Sequence, residues 1–466
     1  MERTLIKDLK EKVGQEVLIK GWVDVRRDHG KLIFIDFRDS TSKVQMVALP
    51  NNKEAHELAS TVRPEWVLEI KGKVNARPER MINKDELNGT VEIEMLGVVV
   101  LNEAITPPID VRGDGREIGE DVRLKYRYLD LRRPRLQKNV RNRSKVMTLV
   151  RNFFTNEGFI EIETPSLTTA TAEGSRDFIV PSRLEPGKFY ALPQSPQQYK
   201  QLLMAAGMEK YFQFARCYRD EDSRGDRQPE FTQMDLEMSF VRREDVMDVN
   251  ERALIKLITE LYPEKKIQQI PFPRMSYKET IEKYGNDKPD IRENKEDPNL
   301  LAFCWVIDFP MFEKSEDGGW TFTHNPFSSP TPESMNDLMN KTNIEGIMTT
   351  QYDIALNGYE LGGGSIRNHR PEALRKTLEI MGFDEEKIDR EYGHMLKAFE
   401  YGVPPHGGIA WGFDRLMMLL ENEPNIREVI AFAKTGEGQD LMMNAPGIVG
   451  EKQLRELGIK INKQEK

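Results

Sequence analysis

Residues 211–240, YFQFARCYRDEDSRGDRQPEFTQMDLEMSF, constrain the fold more than any other stretch of the chain. From Thr232 the even positions Thr232, Met234, Leu236, Met238 and Phe240 are mostly apolar, while Phe231, Gln233, Asp235, Glu237 and Ser239 fall on the opposite side. That period belongs to a strand with one packed face. Residues 211–218 are rich in aromatics and make its partner strand. Between the two, residues 219–230 hold three arginines and five carboxylates around Gly225 and Pro229, a loop too charged to bury. A solvated hairpin end is one reading. The other starts from the polar face, because covered groups in the order Gln233, Asp235, Glu237 need partners and a polar ligand supplies them. Arg219 and Glu221 at the strand end then suit a phosphate and a donor group of one nucleotide.

A chain of 466 residues has room for two or three domains, and 38% hydrophobic with 31% charged residues fits a globular protein. No apolar run approaches a membrane span and MERTLIKDLK has no signal-peptide core, so a cytoplasmic location without membrane contact is expected. Cys217 and Cys304 are the only cysteines, which supports neither a disulfide framework nor a zinc site. The formal charge of −9 argues against indiscriminate nucleic-acid binding. Most of that acidity lies beyond residue 105.

Residues 1–105 offer five strand candidates and one helix, 53–61, the content of a five-stranded Greek-key barrel of the OB type. Such barrels bind single-stranded nucleic acid by stacking bases on aromatics beside cations, and Arg26, Arg27, Phe34, Gln45 and Arg77 are the candidates here. Taken singly, Phe34 in an alternating strand reads as core. Residues 106–134, rich in Pro, Gly and Arg, read as a basic hinge. Residues 135–466 follow as one domain, opening with a helix over 135–156 whose apolar face is expected at an interface. FIEIETP is a short strand halted by Pro165. Strands and helices then mix through to residue 440, so the expected class is α+β, an antiparallel sheet flanked by helices.

Three segments end strands or open helices with a positioned arginine: YRDED at Arg219, GGGSIR at Arg367 and GIAWGFDR at Arg415. In the last, Gly412 ends a strand-like run and Arg415 falls in a first helical turn, where free N–H groups and the helix dipole favour anions. GGGSIR alone reads as a flexible hairpin. Together with FIEIETP, YRDED and GIAWGFDR resemble the three motifs of class II aminoacyl-tRNA synthetases. RRDHGKLIFIDFRD, VRLKYRYLDLRRP, ALPQSPQQYKQLLM, WVIDFPMFE and NGYELGGGSIR resemble the bacterial aspartyl-tRNA synthetases in particular, over about residues 3 to 460.

The resemblance implies activation of L-aspartate with ATP and transfer to the 3′ end of tRNA(Asp), with Mg2+ as cofactor and a homodimeric assembly. Arg219 matches the α-phosphate contact and Arg415 the γ-phosphate contact, the two catalytic positions. Asp220, Glu221, Gln228, Phe231, Glu360, Gly412, Phe413 and Asp414 match the remaining ATP-binding positions, with Phe231 stacked on adenine. Asp353 and Glu360 match magnesium-associated carboxylates. Lys200 and Arg367 match the residues that grip the aspartate side chain; Glu173, Gln197 and Asp235 match positions around its ammonium, Arg219 borders the same pocket and His324 extends it. Arg27, Phe34, Gln45, Arg77 and Glu92 match anticodon-reading positions.

Some features depart from the family pattern. The insertion domain that bacterial relatives carry between the second and third motifs is missing near residues 291–301. Asn325 follows His324 where many relatives have a second His, and Phe413 stands where Leu is usual. His29 resembles relaxed enzymes that also charge tRNA(Asn), whereas Arg80 resembles strict ones, which leaves the tRNA range open. An asparaginyl or lysyl synthetase would share the barrel and motifs, and a silent RNA-binding paralogue would have lost Arg219, Glu360 or Arg415.

Overall fold

A computed structural model describes residues 1–170, 174–315 and 318–462. The chain divides into two units, Met1–Arg112 and Gly113–Lys466.

In the first unit β1 (Glu16–Asp28), β2 (Ile33–Arg38), β3 (Lys43–Ala48), β4 (Val67–Ala76) and β5 (Val91–Asn102) close a barrel in the order β1-β2-β3-β5-β4. Helix α1 (Lys53–Thr61) occupies the expected residues, its first turn capped by the Asn52 side chain accepting from the Ala55 N–H. Alternation fills the interior with Ile33, Ile35 and Phe37 from β2 and their neighbours Val17, Ile19, Ile93 and Met95. Phe34 lies on the other parity and is only half-buried beside Asp36 on the outer face, so it is not a core residue.

The second unit opens with segments that the sequence reads as hinge but that are packed from Gly113 onward. Two short helices, Glu120–Lys125 and Arg127–Asp130, bury Arg123, Arg127 and Arg133 around Asp130. Arg133 Nε donates to Asp130 Oδ1 at 2.6 Å and Arg127 to Oδ2 at 3.0 Å, while Arg123 pairs with Glu428 at 2.7 Å. These arginines are basic in sequence and neutralised in place. Their partners make the segment part of the domain.

Helix α2 (Pro134–Asn156), β6 (Ile160–Glu161), α3 (Gln197–Ala205), β7 (Lys210–Tyr218), β8 (Glu230–Ser239) and α4 (Arg243–Leu261) follow. Then come β9 (Arg274–Ser276), β10 (Phe303–Ile307), β11 (Gln351–Leu356), β12 (Tyr359–Ile366), β13 (His406–Gly412) and α5 (Phe413–Leu420). One eight-stranded sheet runs β9-β10-β11-β12-β13-β8-β7-β6. It is antiparallel except at its edges, where β9 pairs β10 and β6 pairs β7 in parallel. The sheet is therefore mixed rather than purely antiparallel. Met234, Leu236 and Met238 of β8 pack with Val146, Val150 and Phe153 of α2 and Leu254 and Leu257 of α4. The apolar face of α2 is thus spent inside its own chain, not at an interface. Among the described residues, no helix is long and apolar enough to cross a membrane.

The GGGSIR run is strand, not hairpin. The turn lies earlier at Asn357 and Gly358, both at positive φ, as a two-residue Asn-Gly hairpin requires. Gly362–Gly364 sit in the sheet between β11 and β13 because side chains do not fit: a Cβ at Gly362 would lie 2.5 Å from Ala410 O, and one at Gly364 would strike Gly408 O.

Candidate active site

The polar parity of β8 faces away from the α2/α4 core and, with β11–β13, floors a cavity of about 390 Å³. Gln197, Lys200, Arg219, Glu221, Gln228, Phe231, Asp235, His324, Asp353, Glu360, Arg367, Gly412, Asp414 and Arg415 all line it. Residues separated by more than two hundred positions in sequence are thus brought to one space.

At its base lie two cations and two carboxylates, all fully or almost fully buried. Lys200 Nζ donates to Asp235 Oδ1 at 2.6 Å and lies 3.3 Å from Glu237 Oε2. Arg367 grips Glu237 with two N–H groups, at 2.8 and 3.1 Å, and donates to Ser365 Oγ at 2.9 Å and Gly408 O at 3.1 Å. Burial pushes the Asp235 carboxyl above its ordinary value although Lys200 opposes it. Burial pushes Glu237 up too, but Arg367 and Lys200 outweigh it and hold that carboxyl below its ordinary value. Asp235 Oδ2 has no hydrogen-bond partner, an acceptor left for something that enters the cavity. Glu237 has room because Gly408 opposite it carries no Cβ, which would collide with Oε2.

At the other end Arg219 lies over the Phe231 ring, 5.2 Å from its centroid, leaving a cation and an aromatic face side by side. Glu221 is held by Arg227 at 3.2 Å and by the Ser175 hydroxyl. Gln228 is buried and accepts from the Lys434 N–H at 2.8 Å. Arg415, in the first turn of α5, donates to Asp226 Oδ2 at 3.0 Å and to the Glu360 carbonyl. Asp414 ties α5 to β8 by accepting from the Thr232 N–H at 2.8 Å.

Asp353 and Glu360 meet above Gly363, where a Cβ would lie 2.8 Å from Asp353 Oδ1 and 3.8 Å from Glu360 Oε1. Burial raises the Asp353 carboxyl well above the usual carboxylate range; His324, 3.8 Å away, opposes this and Glu360 adds to it. A desolvated carboxylate whose charge is further opposed by a second one is stabilised by a divalent cation. Among the described residues no cluster of three or more His, Cys, Asp or Glu is arranged to hold a metal by itself. That donor set fits Mg2+, which takes one or two carboxylates and completes its shell with water and phosphate.

Two of the expected residues that the structure describes do not line the cavity. Phe413 is fully buried instead, edge-on to Phe214 at 5.0 Å and beneath the Arg143 guanidinium. Asp220 is exposed, 3.5 Å from Arg176. Glu173 lies outside the described residues. The alternation sets Glu237 beside Asp235 among the covered polar groups of β8 but gives it no specific role; its partner Arg367 is what the sequence does not mark. Nothing local in the sequence marks Gln201, His406 or Asp226, which meet their partners only in the fold.

On the outer face of the barrel Arg27 donates to both Asp36 oxygens at 2.6 and 2.7 Å and to Gln45 Oε1 at 3.4 Å. Gln45 Nε2 donates to Glu92 at 3.3 Å, and Arg77 Nε lies 3.9 Å from the same carboxylate. Phe34 pairs directly with Arg27 across β1 and β2, and the His29 ring meets it edge-on at 5.7 Å. Arg80 is exposed in a short 3-10 turn and joins no part of this line.

Residues 119–436 match the family of class II tRNA synthetases (D, K and N), and residues 17–100 match the OB-fold nucleic acid binding domain. An aspartate–tRNA ligase of Lysinibacillus sphaericus is 40% identical over 96% of this chain and 96% of its own length. An aspartate–tRNA(Asp/Asn) ligase of Bacillus subtilis is 39% identical over 98% of each. The crystal structure of a putative aspartyl-tRNA synthetase from Leishmania major shares the fold at a TM-score of 0.75 and 20% identity, covering 93% of this chain and 94% of that one. Asparaginyl-tRNA synthetase from Pyrococcus horikoshii does so at 0.75 and 23%, covering 93% and 98%. With barrel, sheet and cavity in place, these likenesses mean that the chain is a ligase and belongs to the aspartate–tRNA ligase family of class II tRNA synthetases.

Proposed function

We propose that the cavity activates L-aspartate with ATP and passes it to the 3′ end of tRNA(Asp). The observation that carries this reading is the buried group of Lys200, Arg367, Asp235 and Glu237. Lys200 and Arg367 supply the positive charge for a side-chain carboxylate, and Asp235 Oδ2 is a spare acceptor for an ammonium. Asparagine would bring a neutral amide in place of that carboxylate and forfeit the charge-assisted hydrogen bonds that Lys200 and Arg367 can add to it.

Adenylation joins two anions, so it needs positioning and charge neutralisation more than proton transfer. Phe231 offers adenine a ring face, Arg219 beside it meets the α-phosphate, and Arg415 meets the far end of the triphosphate. Asp353 and Glu360 would hold Mg2+, which supplies charge neutralisation at phosphate oxygens. The line Arg27, Gln45, Glu92, Arg77 with Phe34 serves the anticodon, where Phe34 exposes a ring to stack on a base. His29 and Arg80 point in opposite directions on a second acceptor, tRNA(Asn), and relatives named for tRNA(Asp) alone and for tRNA(Asp/Asn) match alike, at 40% and 39% identity.

On this reading the chain acts without the insertion domain that the resemblance assigns to bacterial relatives. Its alignment to the L. sphaericus ligase runs over 574 positions although the chain has 466 residues. The connection after residue 290 is tied back by Gln268, which donates to Ile291 O at 3.0 Å and accepts from the Glu293 N–H at 2.9 Å. A cytoplasmic homodimer is the proposed assembly, supported by the exposed Ile160, Ile179, Phe189 and Tyr190 and checked by light scattering. ATP–pyrophosphate exchange without tRNA tests the substrate: aspartate alone, not asparagine or lysine, should support it. Charging of tRNA(Asp) and tRNA(Asn) side by side then sets the tRNA range.

A further inference from the structure

We propose that His406 and Gln201 are positioning residues that fix which end of the Gln197 amide faces the substrate, so that the cavity offers an oxygen rather than an N–H group to the ammonium of the amino acid. The inference rests on the aspartate-activation reading above.

A side-chain amide has an attractive and a repulsive end for a cation, and its own rotation exchanges them freely. What decides between them is the bonding behind it. Gln197 opens α3 and lines the cavity, and its Nε2 donates to Gln201 Oε1 at 2.9 Å. Gln201, one turn later, is fully buried, with Nε2 3.1 Å from His406 Nε2. His406 opens β13, is also fully buried, and places Nδ1 2.8 Å from Pro404 O.

The last contact sets the direction of the rest. A backbone carbonyl only accepts, so His406 Nδ1 carries a proton. Burial pushes the imidazole down to about 4; Glu237 and the Pro404 carbonyl favour its protonation, Arg367 and His369 oppose it, and the ring stays neutral at working pH. Its Nε2 is then an acceptor and takes the Gln201 N–H. Gln201 Oε1 is left to accept from Gln197 Nε2, and Gln197 Oε1 is the atom left for the cavity. Turning over either amide would set two donors or two acceptors face to face in a buried place, where an unmade bond is costly. The ammonium thus meets Gln197 Oε1 together with Asp235 Oδ2.

The test compares Gln201→Met and Gln201→Glu by aspartate-dependent exchange, with succinate, the same dicarboxylate without the ammonium, as competitive inhibitor. Gln201→Met fills the space but frees the Gln197 amide. It should raise the aspartate KM about tenfold, a charge-assisted hydrogen bond's worth. kcat, the ATP KM and the succinate inhibition constant should stay within about twofold. Gln201→Glu should recover the aspartate KM, because its carboxylate still accepts from Gln197 while His406 takes a proton on Nε2 to answer it. A packing role alone ranks the two variants the other way, since Met suits a buried site and Glu does not. An unchanged aspartate KM in Gln201→Met, or equal weakening of aspartate and succinate, overturns the relay. Should Gln201→Met fail to fold, a raised aspartate KM in Gln201→Glu with succinate unaffected overturns it as well. A wild-type protein that supports no exchange with aspartate removes the functional reading and the relay together, whereas an active wild type with an indifferent Gln201→Met removes the relay alone.

Discussion

Arg367→Ala tests the charge group at the base of the cavity through both catalysis and folding. The guanidinium is almost fully buried and gives Glu237 two of its hydrogen bonds, leaving Lys200 as the other cation in contact. Without it, one ammonium faces two buried carboxylates. Breaking a buried pair in this way costs about 3–5 kcal/mol, so the variant should melt well below the wild type. The deficit should also depend on pH. In the wild type the Glu237 carboxyl is held below its ordinary value, so its contribution is present above the unfolded pKa and lost as pH falls through the folded one. In the variant its main counter-charge is gone and burial raises the carboxyl instead, so Glu237 destabilises when ionised and is relieved as it takes a proton. The gap between the two melting curves should therefore be wide near about pH 8 and narrow towards about pH 5. Aspartate-dependent exchange should fall by roughly two to four orders of magnitude in kcat/KM, the same energy expressed as rate. A melting gap independent of pH, or exchange kept at wild-type efficiency, refutes the reasoning.

Phe34→Ala should weaken tRNA charging by about 1–3 kcal/mol while leaving tRNA-independent exchange and the melting temperature unchanged; a matching loss in exchange would return Phe34 to a structural role. Gly363→Ala pushes a methyl against the Asp353 carboxylate, so it should raise the Mg2+ concentration needed for half-maximal exchange severalfold with little change in the aspartate KM. An unaltered Mg2+ titration would detach Asp353 from the cation. Asp130→Asn removes the anion shared by Arg123, Arg127 and Arg133 and should cost about 3–5 kcal/mol of stability, read by chemical denaturation. A loss under about 1 kcal/mol would mean that the arginines are satisfied by carbonyls alone.

Elements with local signals were the legible ones. The alternation after Thr232 placed Asp235 and Glu237 on the cavity side, and α1, with its Asn52 cap, was readable to the residue over Lys53–Thr61. Phe34 was legible by parity, since it shares a face with Asp36 and Arg38 while Ile33, Ile35 and Phe37 share the other; reading it singly gave that up. Partners far apart in sequence were not legible. Arg123 looks like hinge charge until Glu428 arrives from 305 residues away, and Glu237 waits 130 residues for Arg367. The motif positions were recoverable through resemblance, which carries side chains that point into the cavity but not those that support them from behind. Phe413 shows the converse, a motif position whose side chain serves the core.

The bare strands at the bottom of the cavity limit how such a protein can change its substrate over time. Where Gly363 and Gly408 face the charged groups, the floor is main chain, and main chain offers mutation nothing to trim or exchange; any side chain added there collides with Asp353 or Glu237. A lineage drifting towards a different amino acid must therefore change the side chains themselves, Lys200 on α3, Asp235 in the middle of β8 and Arg367 just past β12. These positions are coupled through shared ion pairs, so single steps pass through unbalanced charge. Such a pocket resists gradual reassignment and favours either strict retention or several simultaneous replacements.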